Sequence, residues 1–157
     1  MDIFHNGIEM NEELKNSLIL VHQNMGLSQL LSLKTKPNSQ TALHIVHQNI
    51  RGLRHKTDEL MCMLESCDLS STIICLSEHY LVDHKHLMIK LNNYYLISKF
   101  SQQSYCGRGV CMYINLYLKS NMIDLSQNCI EKVTDLCAAP INISNLSIII
   151  IMHIYIS

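Results

Sequence analysis

Leu43-His-Ile-Val-His-Gln-Asn-Ile-Arg-Gly-Leu53 reads as a strand that runs into a polar turn. Leu43, Ile45 and Val46 are apolar and favour extended backbone, and Gln48-Asn49 and Arg51-Gly52 then break the run. A carboxamide at the mouth of a buried strand, next to a glycine that lets the backbone turn, is well placed to hold a ligand. The next apolar run, Thr72-Ile-Ile-Cys-Leu-Ser77, ends in the same way, with Glu78 at its tip. Two oxygen-bearing side chains on the ends of two hydrophobic strands make a candidate site for a hard cation. The same residues also fit a plainer role, Asn49 as a turn cap and Glu78 as a solvated strand end.

Between the two runs, Thr57 can start a helix whose first turn holds Asp58 and Glu59, where carboxylates favour the helix dipole. Leu60, Met61, Met63, Leu64 and Cys67 share one broad face of it. Strand, helix and strand in so short a span suggest a βαβ crossover, and a mixed sheet fits as well. Downstream, residues 79–90 are polar and suit a loop with a short helix, and residues 94–98 suit a strand. Gly109-Val-Cys-Met-Tyr-Ile-Asn115 alternates two faces, as a strand does. Residues 131–143 suit a strand broken near Pro140, and 146–155 are so rich in isoleucine that a central strand covered on both faces is expected.

Upstream, the first 40 residues differ in character. Residues 11–33 carry Leu14, Leu18, Leu27, Leu30 and Leu31 at roughly helical spacing, which fits either a weak helix or a floppy leader. Residues 35–41 are polar and turn-forming, a credible linker. The expected division is a leader over 1–40 and one domain over 41–157.

The 157 residues suffice for one domain with a core, and 48% hydrophobic against 16% charged residues favours burial over disorder. With 12 basic and 13 acidic residues the net charge is −1, so no broad basic field points to nucleic acid. Seven scattered cysteines without a CxxC pair, behind an N-terminus with no basic, apolar leader, fit reduced thiols in an intracellular protein. The longest apolar run, 148–152, stops at His153 and is far too short to cross a bilayer, so no membrane association is expected. His79, Asp83, His84 and His86 could be taken for a metal cluster, but without closely spaced cysteines a polar loop is the better reading. No GxxxxGK phosphate loop occurs, and Gly107-Arg-Gly109 suits a turn into a strand.

Four blocks occur in order: His47-Gln-Asn-Ile-Arg-Gly-Leu53, Cys75-Leu-Ser-Glu-His79, Gly107-Arg-Gly-Val-Cys-Met-Tyr-Ile114 and Ile151-Met-His-Ile-Tyr155. Together they resemble the first half of the endonuclease/exonuclease/phosphatase superfamily. Within it they look most like the apurinic-type endonuclease domain at the front of animal non-LTR retrotransposon polyproteins. The likeness covers about residues 42–157. It implies an α/β (α+β) fold, part of a four-layer DNase I-like sandwich, with a site that binds Mg²⁺ or Mn²⁺ and hydrolyses a DNA phosphodiester. By the same resemblance Glu78 is the principal metal ligand, Asn49 contacts metal or phosphate, and Tyr155 stabilises the attacked phosphate. DNA is the implied partner, and a nuclear location follows if the domain works as a retrotransposon endonuclease.

The departures are as informative. The pattern after the tyrosine continues into Arg-Ser-Pro in the family, where this sequence has Ile156-Ser157. The Gly-Asp-Phe-Asn block, with the aspartate that activates water, and the Ser-Asp-His block, with the histidine, are absent from the sequence. The expectation is therefore a fragment of the nuclease domain, inactive alone for want of a base. The rival is a non-catalytic structural or interaction remnant of the same fold. An incomplete second sheet would also leave an apolar face on which copies could associate.

Overall fold

The structure, a computed structural model, describes residues 5–8, 17–22, 29–34, 42–66, 72–82, 85, 88–104, 108–144 and 147–156. The run that begins at Leu43 forms strand β4 (Ala42–Asn49), and helix α1 (Thr57–Ser66) carries the chain over to β5 (Thr72–Ser77), which lies parallel beside β4. This is the expected crossover. Strands β6 (Tyr94–Ser101) and β7 (Gly109–Asn115) follow as an antiparallel pair, and β7 runs antiparallel to β5. On the far side of β4 lie β3 (Gln29–Lys34) and then β1 (His5–Ile8), completing a six-stranded mixed sheet in the order β1-β3-β4-β5-β7-β6. A second sheet of four strands has the order β2-β10-β9-β8, from Ser17–His22, Ser147–Ile156, Thr134–Ser144 and Lys119–Ser120. The protein is thus a sheet-dominated α+β fold with one α-helix among the described residues. None of the described helices is long and apolar enough to cross a membrane.

Strand parity explains the layering. Leu43 and Ile45 of β4, Ile73 and Cys75 of β5, and Val110, Met112 and Ile114 of β7 face the second sheet. They meet Cys137, Ala139 and Ile141 of β9 and Ile149 and Ile151 of β10. The opposite faces of β4, β5 and β7 supply Val46, Ile74, Leu76, Cys111 and Tyr113, which pack with Leu60 and Leu64 of α1. Leu60 and Leu64, four residues apart, are the buried stripe of α1; Met61 and Met63 flank it half-buried, and Cys67 lies outside the described residues. Of the five described cysteines none is in a disulfide, and Cys75, Cys111 and Cys137 are buried in these cores.

Three expectations are corrected. The helical spacing of residues 11–33 does not make a helix where the backbone is described: 17–22 and 29–34 are strands, drawn into pairing with β10 and β4. Ladder hydrogen bonds with a neighbouring strand override a weak periodic preference. The remainder of 11–33 and the linker reading at 35–41 lie outside the described residues.

Second, Pro140 does not break its strand; β9 runs through it to Ser144. Pro140 falls between Ile141, the last residue paired with β8, and Ala138, bridged to Ile123. The ladder on the β8 side is interrupted there, while Pro140 stays paired with Ile150 of β10, so a missing N–H directed toward β8 is tolerated. Third, β10 is central in its sheet but not covered on both faces. Ile149, Ile151, His153 and Tyr155 are buried, while Ile148, Ile150 and Ile156 on the alternate face are exposed.

Candidate functional site

The core between the sheets changes character along the strands. On β4, Leu43 and Ile45 are followed at the same parity by His47 and Asn49. On β10, Ile149 and Ile151 are followed by His153 and Tyr155, and on β9 Ile141 and Ala139 lead back to Cys137 and Asp135. Register superposes these changes: His153 pairs with Cys137 and Tyr155 with Asp135, while Asn49 pairs with Ser77. One end of the sandwich is therefore aliphatic and the other is a buried polar end. The resemblance-derived residues Asn49, Glu78 and Tyr155 all lie at that polar end.

Glu78 is where they meet. Tyr155 Oη donates to Glu78 Oε1 at 2.6 Å, across 77 residues of chain and from one sheet to the other. Tyr80 Oη donates to Oε2 at 3.3 Å, the Asn49 side chain also hydrogen-bonds the carboxylate, and Arg51 Nε stands 3.9 Å from Oε2. The Arg51 side chain is 71% exposed, so this ion pair contributes little. Partial burial pushes the Glu78 carboxyl up, but the hydrogen bonds from Tyr155, Asn49 and Tyr80 and the Arg51 charge outweigh it. The net result lies below the usual carboxylate range, and Glu78 is ionised at neutral pH. Burial and the Glu78 hydrogen bond push the Tyr155 phenol up to about 12, so it keeps its proton and acts as a donor.

Backbone geometry aims the carboxylate. Residue 78 on a continuing strand would point to the side opposite Ser77, toward the helix layer. Instead β5 stops, and Glu78 takes φ +54°, with Tyr80 at +53° and Arg51 at +46° on the facing turn. Left-handed backbone at a non-glycine residue costs about 1–3 kcal/mol and persists only where surroundings impose it. Here the two turns are laced together: Ile50, Gly52 and Leu53 N–H donate to the carbonyls of Ser77, Glu78 and His79 at 3.0, 2.9 and 3.0 Å. Glu78 N–H itself donates to Gly109 O at 2.9 Å, which ties the turn to β7.

Two outcomes at the histidines differ from expectation. His79 lies in a loop, as expected, but is fully buried there, with Nδ1 accepting the Leu81 N–H and Nε2 donating to Phe100 O at 3.1 Å. Asp83, His84 and His86 lie outside the described residues. Sequence reasoning also passed over His47 and His153, whose rings meet edge-on with centroids 4.9 Å apart directly behind the site. Both were legible as polar residues on an otherwise aliphatic strand face. Among the described residues no group of three or more His, Cys, Asp or Glu is arranged to hold a metal ion.

Removing the Tyr155 hydroxyl tests this geometry directly. Tyr155→Phe is expected to raise the Glu78 carboxyl toward the ordinary range, since the charged form loses its shortest donor. It should also cost about 1.5–3 kcal/mol at pH 7, the usual worth of a hydrogen bond to a charged group. A carbon-13 NMR titration of the Glu78 carboxyl reads the first effect and urea unfolding the second. Because the folded carboxyl is depressed, this stabilisation is present at neutral pH and is lost as pH falls through the folded value.

No protein-family model matches the chain, and no curated protein matches it either.

Proposed function

We propose that the chain carries the cation- and phosphate-binding part of a metal-dependent DNA endonuclease domain, DNase I-like in fold and of the retrotransposon type, and that it does not cleave DNA alone. The observation that carries this reading is the convergence at Glu78. Three short blocks far apart in sequence each nominate one residue by resemblance, and those three side chains are hydrogen-bonded together.

The donor set suits a hard divalent cation. Glu78 is an ionised carboxylate, and Asn49 Oδ1 beside it is buried without a hydrogen-bond partner. Mg²⁺ is commonly held by one or two carboxylates, with water and phosphate oxygens filling its other positions, so the absence of a three-residue cluster among the described residues is compatible with it. Bound there, such an ion supplies neutralisation of the charge that develops on an attacked phosphate. Glu78 and Asn49 would hold it, and Tyr155, protonated across the neutral range, would donate to a phosphate oxygen. Among the described residues, the histidines behind the site offer no exposed base: His79 has both ring nitrogens engaged, and His47, His79 and His153 are all within 1% of full burial.

One observation favours a second reading, in which the residues only hold the fold. The Tyr155–Glu78 hydrogen bond joins the two sheets and stabilises the sandwich with or without a cation. Calorimetric titration with Mn²⁺ separates the two. The cation-site reading expects saturable binding that Glu78→Gln weakens by more than the roughly 10–100-fold lost on removing an outer-sphere partner. Plasmid nicking in Mg²⁺ is expected to be absent for both proteins. No Mn²⁺ binding, with Glu78→Gln merely less stable, would favour the structural reading. Robust nicking lost in Glu78→Gln would overturn the proposal that the chain does not cleave DNA alone.

A further inference from the structure

A second carboxylate lies at the polar end of the sandwich, on the other side of Tyr155 and outside the cation site. Asp135 in β9 is the cross-strand partner of Tyr155 in β10 and is fully buried. Its one side-chain partner among the described residues is Gln102, just past β6, which is 1% exposed. Gln102 Nε2 stands 2.9 Å from both Asp135 oxygens, so a single neutral amide straddles the carboxylate. Gln102 Oε1 is also buried and has no hydrogen-bond partner.

These two facts point the same way. A buried carboxylate ordinarily has a cation or several donors, and a buried carbonyl oxygen ordinarily has a donor. One proton on Asp135 answers both needs. An acid O–H can donate to the amide oxygen while the amide N–H donates to the acid carbonyl, a closed two-bond pair that needs only a turn of the amide plane. Because Gln102 follows β6 of the larger sheet and Asp135 belongs to the smaller sheet, the pair is a tie between sheets. The same residue holds the adjacent turn, its backbone N–H donating to Arg108 O at 2.8 Å.

We propose that Asp135 and Gln102 form a proton-operated latch between the two sheets, closed when Asp135 is protonated and loosened when it ionises. Loss of the proton to solvent leaves the Gln102 oxygen unpaired and a buried charge facing only one neutral donor. Among the described residues, the ionisable groups around it do not supply a counter-ion in contact. Tyr155 lies opposite it on β10 with His153 one pair along, Cys137 lies along β9, Cys129 and Glu131 approach from the preceding turn, and Arg108 from the residue before β7. Burial raises the Asp135 carboxyl most; Gln102 opposes this, Glu131 adds to it and Arg108 opposes it, and the net is above the usual aspartate range. The latch requires neither a cation nor DNA, so it stands or falls apart from the nuclease reading.

The sign is opposite to that of Glu78. A folded value above the unfolded aspartate value of about 3.9 makes the contribution full below that pH and lost as pH rises through the folded value. Asparagine mimics the protonated acid in shape and can donate to Gln102 Oε1. In thermal melts of the full chain, Asp135→Asn is therefore expected to raise the midpoint at pH 7, with the gain closing toward pH 4. A midpoint equal to wild type at both pH values, or lower at pH 7, would overturn the latch. Should Asp135→Asn not fold, a carbon-13 NMR titration of the Asp135 carboxyl in the wild-type chain decides. A titration midpoint above about 3.9 supports the proposal, and one at or below it sinks the idea.

Discussion

Gly109→Ala is expected to cost the protein its cooperative fold, or more than about 4 kcal/mol of stability, a size reserved for a few mechanisms such as strain at special backbone positions. Gly109 opens β7 with φ +147°, a conformation that residues with a side chain rarely adopt. A methyl group there would stand 2.1 Å from Phe100 O and 2.8 Å from His79 Nε2. Neither neighbour can yield cheaply. Phe100 O is backbone of β6 and accepts the His79 hydrogen bond, and Ser101 of β6 pairs with Gly109 itself. Relief would separate β6 from β7 or displace His79, and with it the carbonyl of Gly109 that receives Glu78 N–H. The damage therefore reaches the carboxylate as well as the sheet. Urea unfolding followed by circular dichroism measures the loss. A Gly109→Ala protein with an unchanged midpoint would mean that β6 does not approach β7 so closely.

Mild acid is expected to destabilise the protein before its surface carboxylates protonate, through His153. This ring is fully buried, with Cys137 Sγ 3.8 Å from Nδ1 and no partner on Nε2. Burial above all, then the nearby His47 and His79, hold its protonation well below the ordinary histidine range. The folded state keeps it neutral, while the unfolded chain takes up a proton below about pH 6.5. Stability is thus full above about 6.5 and falls as pH drops toward the folded value, by about 1.4 kcal/mol per unit. Between pH 6.5 and 4.5 that amounts to roughly 2.7 kcal/mol, a large part of the 5–15 kcal/mol typical of a domain. Protonation of Asp135, whose carboxyl burial raises, works in the opposite direction and offsets part of the loss. His153→Leu removes the titrating group and is expected to flatten the midpoint between pH 7 and 5. A wild-type midpoint that is already flat over that range would contradict the burial of His153.

The amino-acid sequence by itself determined the local order of this protein. Alternation in Leu43, Ile45, His47 and Asn49, and again in Ile149, Ile151, His153 and Tyr155, assigns each side chain a face and places polar residues one turn of the pleat beyond the aliphatic ones. Such patterns are legible because parity in a strand is a property of neighbouring residues. The β4-α1-β5 crossover and the strand Gly109–Asn115 could be read in the same local terms. The leucines of residues 11–33 misled because a helical spacing is a weak preference, and pairing with β10 and β4 prevailed at 17–22 and 29–34. Only the tertiary structure decided which polar ends share one place: Glu78 against Tyr155, and Gln102 against Asp135. It also turned Glu78 off its strand parity and set Gly109 against Phe100 O. Those contacts depend on strand order and register across two sheets, and no local periodicity encodes which distant strand becomes a neighbour.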